Sequence, residues 1–127
     1  MAAEKEGGNT GVVSALPLEK LTQPAILLLL AGSPAHGYDL IQKLHQLDFI
    51  ESDPDTATVY RTLRRLEQEG LVVSRWEHGE FGPARRQYRL TAGGLNALDD
   101  WAVVLKARLR QIESLIYCYD SIKKGKG

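Results

Sequence analysis

Two groups of arginine are the residues in this chain best suited to do chemistry. Arg61, Arg64 and Arg65 form one group, and Arg85, Arg86 and Arg89 the other. A guanidinium offers a rigid fork of N–H donors that matches phosphate oxygens and the edges of bases. Thr56, Thr58 and Tyr60 add hydroxyls beside the first group. Such a set could hold a polyanion and read its bases. The plain alternative is a solvated face of Arg and Glu, a common pattern on surface helices.

The segment from Asp55 to Val72 carries the first group and reads as one amphipathic helix with a hard stop. Asp55, after Pro54, has the side chain of an N-cap. Val59, Leu63 and Leu66 recur at spacings of four and three and so share a face. Gly70 falls where a left-handed residue ends a helix. Arg61, nearest the helix start, is the candidate for base contacts, with Arg64 and Arg65 as anchors on phosphate or as partners of neighbouring glutamates. Tyr60 could reach a phosphate or pack on the preceding helix.

Residues 1–15 are small, polar and expected to be flexible. Thr22 is placed as the cap of a first helix with Pro24 in its first turn. The run Ala25 to Leu30 is apolar on every side and should be buried all round. A second helix spans His36 to Leu47, with Leu40, Ile41, Leu44 and Leu47 inward, His36 as a possible cap and Gly37 permitting close approach. The loop Asp48 to Asp55 is acidic. After Gly70 the period changes to two: Leu71–Glu77 and Arg85–Leu90 read as strands joined by the turn-rich His78 to Ala84. Arg85, Gln87 and Arg89 then share one face of the returning strand, and Arg86, Tyr88 and Leu90 the other. Thr91 caps a long final helix. On it Leu95, Leu98, Ala102, Leu105, Leu109, Ile112, Ile116 and Tyr119 step by three and four, a seam that calls for a partner helix. Lys123, Lys124 and Lys126 end the chain as a frayed basic tail.

The expected fold class is therefore α+β: a winged helix-turn-helix of three helices and a two-stranded wing, followed by a long C-terminal dimerisation helix. Pairing the two strands brings the second arginine group back beside the first. That implies a helix in the DNA major groove with a wing on the adjacent backbone.

Composition narrows the alternatives. The 127 residues suit one domain with one core. Lys and Arg total 16 and Asp and Glu total 16, so the formal net charge is zero. This disfavours a non-specific polyanion binder but allows charge segregated by face. Cys118 is the single cysteine, which excludes an internal disulfide and suits a reducing compartment. His36, His45 and His78 lack metal-ligand spacing, and no nucleophile or paired-carboxylate arrangement stands out. No metal, no cofactor and no enzymatic activity are expected. The absence of a long apolar run points to a cytoplasmic protein with no membrane segment and no leader.

The run from Ala25 to Leu95 resembles the PadR-type winged-helix transcriptional regulators. The matching pieces are Ile26–Leu30, His36-Gly37-Tyr38-Asp39-Leu40, Thr58-Val59-Tyr60, Leu63–Leu71, and Gly82–Thr91, with a further helix opening at Gly94. The resemblance implies a homodimer that binds operator-like double-stranded DNA and regulates transcription as a repressor. Carried onto this chain, it makes Thr56, Thr58, Tyr60, Arg61, Arg64 and Arg65 the groove-facing set and puts Arg85 and Arg86 on the wing. Leu98, Trp101, Leu105, Leu109 and Ile112, with Ile116 on the same seam, belong to the dimer interface. The domain limits follow as 1–15, a flexible segment; 16–91, the winged helix; 92–122, the dimer helix; and 123–127, the basic tail. Short length, neutral charge and the extended N-terminus are also similar to circadian-clock repressors of this family. An aromatic residue in the dimer helix can line a flat ligand cavity in such proteins, so Trp101 is a candidate for a small aromatic ligand; packing is the simpler role. A winged helix used for protein–protein contact through the acidic loop is the competing reading. Three departures are notable: where the family often has Ser-Pro-Gly-Thr, this chain has Asp53-Pro54-Asp55-Thr56, which sets acidic residues at the approach to a phosphate surface; the position after Tyr60, often proline, is Arg61, which adds a donor; and the C-terminal part is one helix, as in a short-form member.

Overall fold

A computed structural model describes residues 21–50 and 54–126. In order these form α1 (Thr22–Gly32), β1 (Ala35–His36), α2 (Gly37–His45), α3 (Thr56–Gln68), β2 (Val72–Glu77), β3 (Arg85–Leu90) and α4 (Ala92–Lys126). The expected N-terminal segment and part of the acidic loop lie outside the described residues. The chain divides into two compact units, one of them residues 17–99 and the other containing α4 from Asp100 onward.

Within the first unit the core is where the apolar periodicities converge. α1 supplies Ala25, Ile26, Leu27 and Leu30; α2 supplies Leu40, Ile41 and Leu44; α3 supplies Val59, Leu63 and Leu66. Val72 and Tyr88 close it from the sheet. α1 packs against α2 and β3, while α3 packs against α2 and β2. Burying such side chains stabilises the fold by about 1.5–3 kcal/mol each. α1 is not buried all round: Leu28 is 50% exposed, because a helix at the edge of a three-helix layer has only part of its circumference covered.

The α3 expectations hold at both ends. The Asp55 carboxylate accepts from the Thr58 backbone N–H at 2.7 Å, and Gly70 has φ 78°. Gly70 N donates to Glu67 O, and Leu71 N reaches back to Leu66 O at 2.9 Å, which satisfies two carbonyls of the last turn. The start of α4 is likewise capped, with Thr91 Oγ1 accepting from Gly94 N at 2.9 Å.

Several local expectations need correcting. Thr22 is the first helical residue rather than the cap; Leu21 holds that position with no side-chain bond. His36 does precede α2, but its ring bonds no backbone group of the helix. Instead Ala35 and His36 form a short third strand opposite Tyr88 and Gln87, giving the antiparallel order β1-β3-β2. The second helix is correspondingly shorter than expected, and Leu47 lies beyond it. The hairpin register pairs Ser74 with Tyr88, Trp76 with Arg86 and Glu77 with Arg85. At the far end, α4 continues through 123–126, where a frayed tail was expected. Lysines near a helix C-terminus oppose its partial negative charge and favour that extra turn.

Candidate nucleic-acid interface

The site is built where α3, the start of α2 and the wing meet. Gly37, the first residue of α2, lies directly under the Tyr60 ring: a Cβ there would sit 2.6 Å from Tyr60 Cε1 and its hydroxyl oxygen. The missing side chain therefore lets α3 lie against α2, and Tyr60 packs on the preceding helix. From this contact a cleft of about 470 Å³ opens between α3 and the hairpin. Tyr60, Arg64 and Glu67 line it from α3, Trp76 from β2, and Arg85, Arg86 and Tyr88 from β3. Burial raises the Tyr88 hydroxyl pKa above its ordinary value.

The cleft's charges are held in a defined way. Arg86 Nε donates to Ser74 Oγ at 2.7 Å, and Ser74 Oγ donates to Glu67 Oε2 at 2.7 Å. Arg86 Nη2 lies 3.6 Å from Glu67 Oε1, and its guanidinium sits 5.6 Å from the centre of the Trp76 ring. At the cleft's edge the His36 ring lies between two carboxylates, 2.7 Å from Glu77 Oε1 and 3.4 Å from Asp39 Oδ2. Arg64 and Arg85 are exposed.

A sequence profile of the transcriptional regulator PadR-like family matches residues 26–100. The chain belongs to the PadR-like family of transcriptional regulators. It is 37% identical over 82 residues to the transcriptional regulator Rv3488 of Mycobacterium tuberculosis, covering 65% of this chain and 73% of that protein. The PadR-family regulator of Eggerthella lenta superposes with a TM-score of 0.64 at 29% identity, over 84% of this chain and 93% of that one. The PadR of Bacillus subtilis, solved in complex with operator DNA, superposes with a TM-score of 0.60 at 25% identity, over 66% of this chain and 48% of that one.

In this PadR-like chain the arginine groups do converge, but only in part. Tyr60, Arg64, Arg85 and Arg86 share the cleft. Thr56, Thr58, Arg61 and Arg65 lie outside its lining. Thr56 is exposed at the first turn of α3. Arg61 Nη2 donates to Thr58 Oγ1 at 3.3 Å, so these two form one polar unit near the helix N-terminus. Arg65 instead donates to Gln23 Oε1 of α1 at 2.9 Å. Sequence reasoning did not single out Ser74, Trp76 or Glu67 as parts of the site. Parity along β2 puts Ser74 and Trp76 on one face, and that signal was available. Their partners required the hairpin register, which an irregular turn hides.

On α4, Leu98, Trp101 and Leu105 are half-buried, whereas Leu109, Ile112 and Ile116 are exposed. Cys118 is exposed as well. Among the described residues no cluster could hold a metal ion, and no helix is long and apolar enough to cross a membrane.

Proposed function

We propose that this PadR-like regulator is a homodimeric repressor that binds operator DNA sequence-specifically. The observation that carries the reading is the shared cleft: Tyr60 and Arg64 of α3 face the same space as Arg85 and Arg86 of the wing. α3 enters the major groove. Arg61, with Thr56 and Thr58, reads base edges near the helix start. Arg64 and Arg65 anchor phosphates, and Tyr60 adds a hydroxyl at the edge of the cleft. Arg85, exposed beside the turn, takes the adjacent backbone or minor groove. Arg86 belongs to the same surface. The dimer forms along α4 through Leu98, Trp101, Leu105, Leu109, Ile112 and Ile116. Exposed Leu109, Ile112 and Ile116 on one chain support this, since a single-chain helix would gain nothing from such a stripe. Repression follows from occupancy of the operator. A circadian-clock gene as target rests on the resemblance in length, charge and N-terminal extension.

Selection of bound fragments from genomic DNA, followed by anisotropy titrations over a salt series, tests this. With about six phosphate contacts, affinity should fall roughly 1,000-fold between about 50 and about 200 mM salt. Failure to enrich any fragment, or affinity indifferent to salt, would overturn the proposal and favour a protein-contact role.

A further inference from the structure

Among the described residues, Glu67 is the sole acidic side chain lining the cleft between α3 and the wing. On a surface built to meet phosphates, an uncompensated carboxylate opposes binding. Its surroundings show what it does instead. Glu67 belongs to α3, Ser74 to β2 and Arg86 to β3, so the three residues join all three elements in one chain of polar contacts. Ser74 Oγ is the middle link: it accepts from Arg86 Nε and donates to Glu67 Oε2, both at 2.7 Å. Arg86 Nη2 leans toward the other carboxylate oxygen at 3.6 Å, and Trp76, its cross-strand neighbour, lies under the guanidinium plane.

We propose that Arg86 is a positioning residue rather than a phosphate contact, and that the Glu67–Ser74–Arg86 relay sets the angle of the wing against α3, so that Glu67 is needed for DNA binding despite its charge. This rests on the DNA-binding reading above. The lever explains why such a tie matters. From Ser74 to the turn at His78 the strand runs about 13 Å at ~3.3 Å per residue, so a tilt of about 10° at Ser74 carries the turn about 2 Å. Hydrogen bonds from Arg85 to a phosphate do not survive that displacement. On its other side the hairpin is held by β1 and by the His36–Glu77 contact; on the α3 side no other side-chain bond of this kind ties it among the described residues. Fixing the angle beforehand also removes the ordering cost that a loose wing would incur on binding.

The test uses three single substitutions that change charge in three directions: Glu67→Gln (more positive), Ser74→Ala (unchanged) and Arg86→Ala (more negative). Each is measured against the fragment recovered by genomic selection, over a salt series, with thermal melts to confirm folding. If charge at the surface governs binding, affinity ranks with charge, and Glu67→Gln binds more tightly than wild type. The relay instead requires all three to bind more weakly, each about tenfold, as expected for loss of one charge-assisted link. It also requires the Glu67→Gln, Arg86→Ala double variant to bind no worse than about the weaker single one. Because each variant loosens the same Arg85 phosphate contact, the salt slope should fall equally in all three, by at most about 0.9. Tighter binding by Glu67→Gln overturns the proposal, as does a slope lowered by about 0.9 more in Arg86→Ala than in Ser74→Ala, which would make Arg86 a phosphate contact. Unchanged affinity in Ser74→Ala overturns it too. Failure of the DNA-binding reading is distinguishable, because wild type itself would then recover no fragment.

Discussion

Adjacent glycines at the start of α4 should respond to alanine with opposite signs. On helix propensity alone each replacement favours the helix by about 1 kcal/mol. At Gly93 the added Cβ meets only ordinary neighbours, Gly70 O at 3.4 Å and Thr91 Oγ1 at 3.6 Å. At Gly94 it collides with the Leu71 carbonyl oxygen and stands 2.5 Å from Leu90 Cδ1. The oxygen cannot retreat cheaply, since it accepts from Thr91 N at 3.1 Å and the next residue, Val72, is already paired to Leu90 in the sheet. Overpacking costs about 1–3 kcal/mol, and a backbone partner puts this site at about the upper figure. Subtracting propensity leaves Gly94→Ala destabilised by about 2 kcal/mol and Gly93→Ala stabilised by at most about 1 kcal/mol. At roughly 4 °C per kcal/mol for a chain of this size, calorimetry should find Tm lowered by about 8 °C in one and unchanged or raised by up to about 4 °C in the other. Protein concentration must be held equal, because self-association shifts Tm. If both variants gain stability, or both lose it equally, the close seating of α4 on the hairpin base is wrong.

Arg85→Ala should weaken binding on every DNA sequence and lower the salt slope by about 0.9 while leaving the dimer intact; an unchanged gel-shift series removes the wing tip from the interface. Arg61→Ala should relax sequence preference, by about 1–3 kcal/mol at one base position if it makes a bidentate contact, and a competition assay with single-base variants of the recovered fragment would show it. Leu109→Lys places a charge on the exposed seam of α4 and should shift sedimentation toward monomer; an unaltered mass refutes the seam. Hydrogen bonding to Thr58, through its hydroxyl and backbone N–H, holds the Asp55 carboxyl below its usual range. The lowered folded-state pKa means this stabilisation is complete above the ordinary value of 3.8 and is lost as pH falls through the folded one. In Asp55→Ala that part of the acid dependence, read from denaturation midpoints between neutral pH and about pH 2, should be absent.

Period and punctuation made much of the fold legible. Val59, Leu63 and Leu66 at helical spacing, alternation along Arg85–Leu90, and stop signals at Asp55 and Gly70 each reflect local physics that the tertiary structure did not override. β1 was not legible, because Ala35 and His36 carry no pattern of their own; they become a strand only when β3 offers an open edge. The capping role expected of His36 failed for a related reason: its ring finds Glu77 on β2, a partner distant in sequence. The site divides the same way. That Arg64 and Arg85 could face one space follows from topology, and topology was readable. That Arg65 would be drawn to Gln23 on α1, and Arg86 to Ser74 and Glu67, depends on how helices and strands cross, which spacing along the chain does not encode.

The neutral net charge and the acidic approach to α3 are the features that fit a DNA-binding surface least well, and two of the acids concerned, Asp55 and Glu67, are held by specific contacts. Asp55 is not a free charge on the path to phosphate. Its carboxylate accepts from Thr58 N at the N-terminus of α3, where the helix dipole supplies about half a compensating positive charge. Glu67 is likewise tied to Ser74 and Arg86. Two acids that a residue count sets against the arginines thus work to place them: one starts α3 in the correct register, the other fixes the wing beside it. Arg64 and Arg85 are left exposed on either side of the cleft, so a chain with equal numbers of acids and bases can still present a positive face where these two acids are tied to the scaffold that carries it.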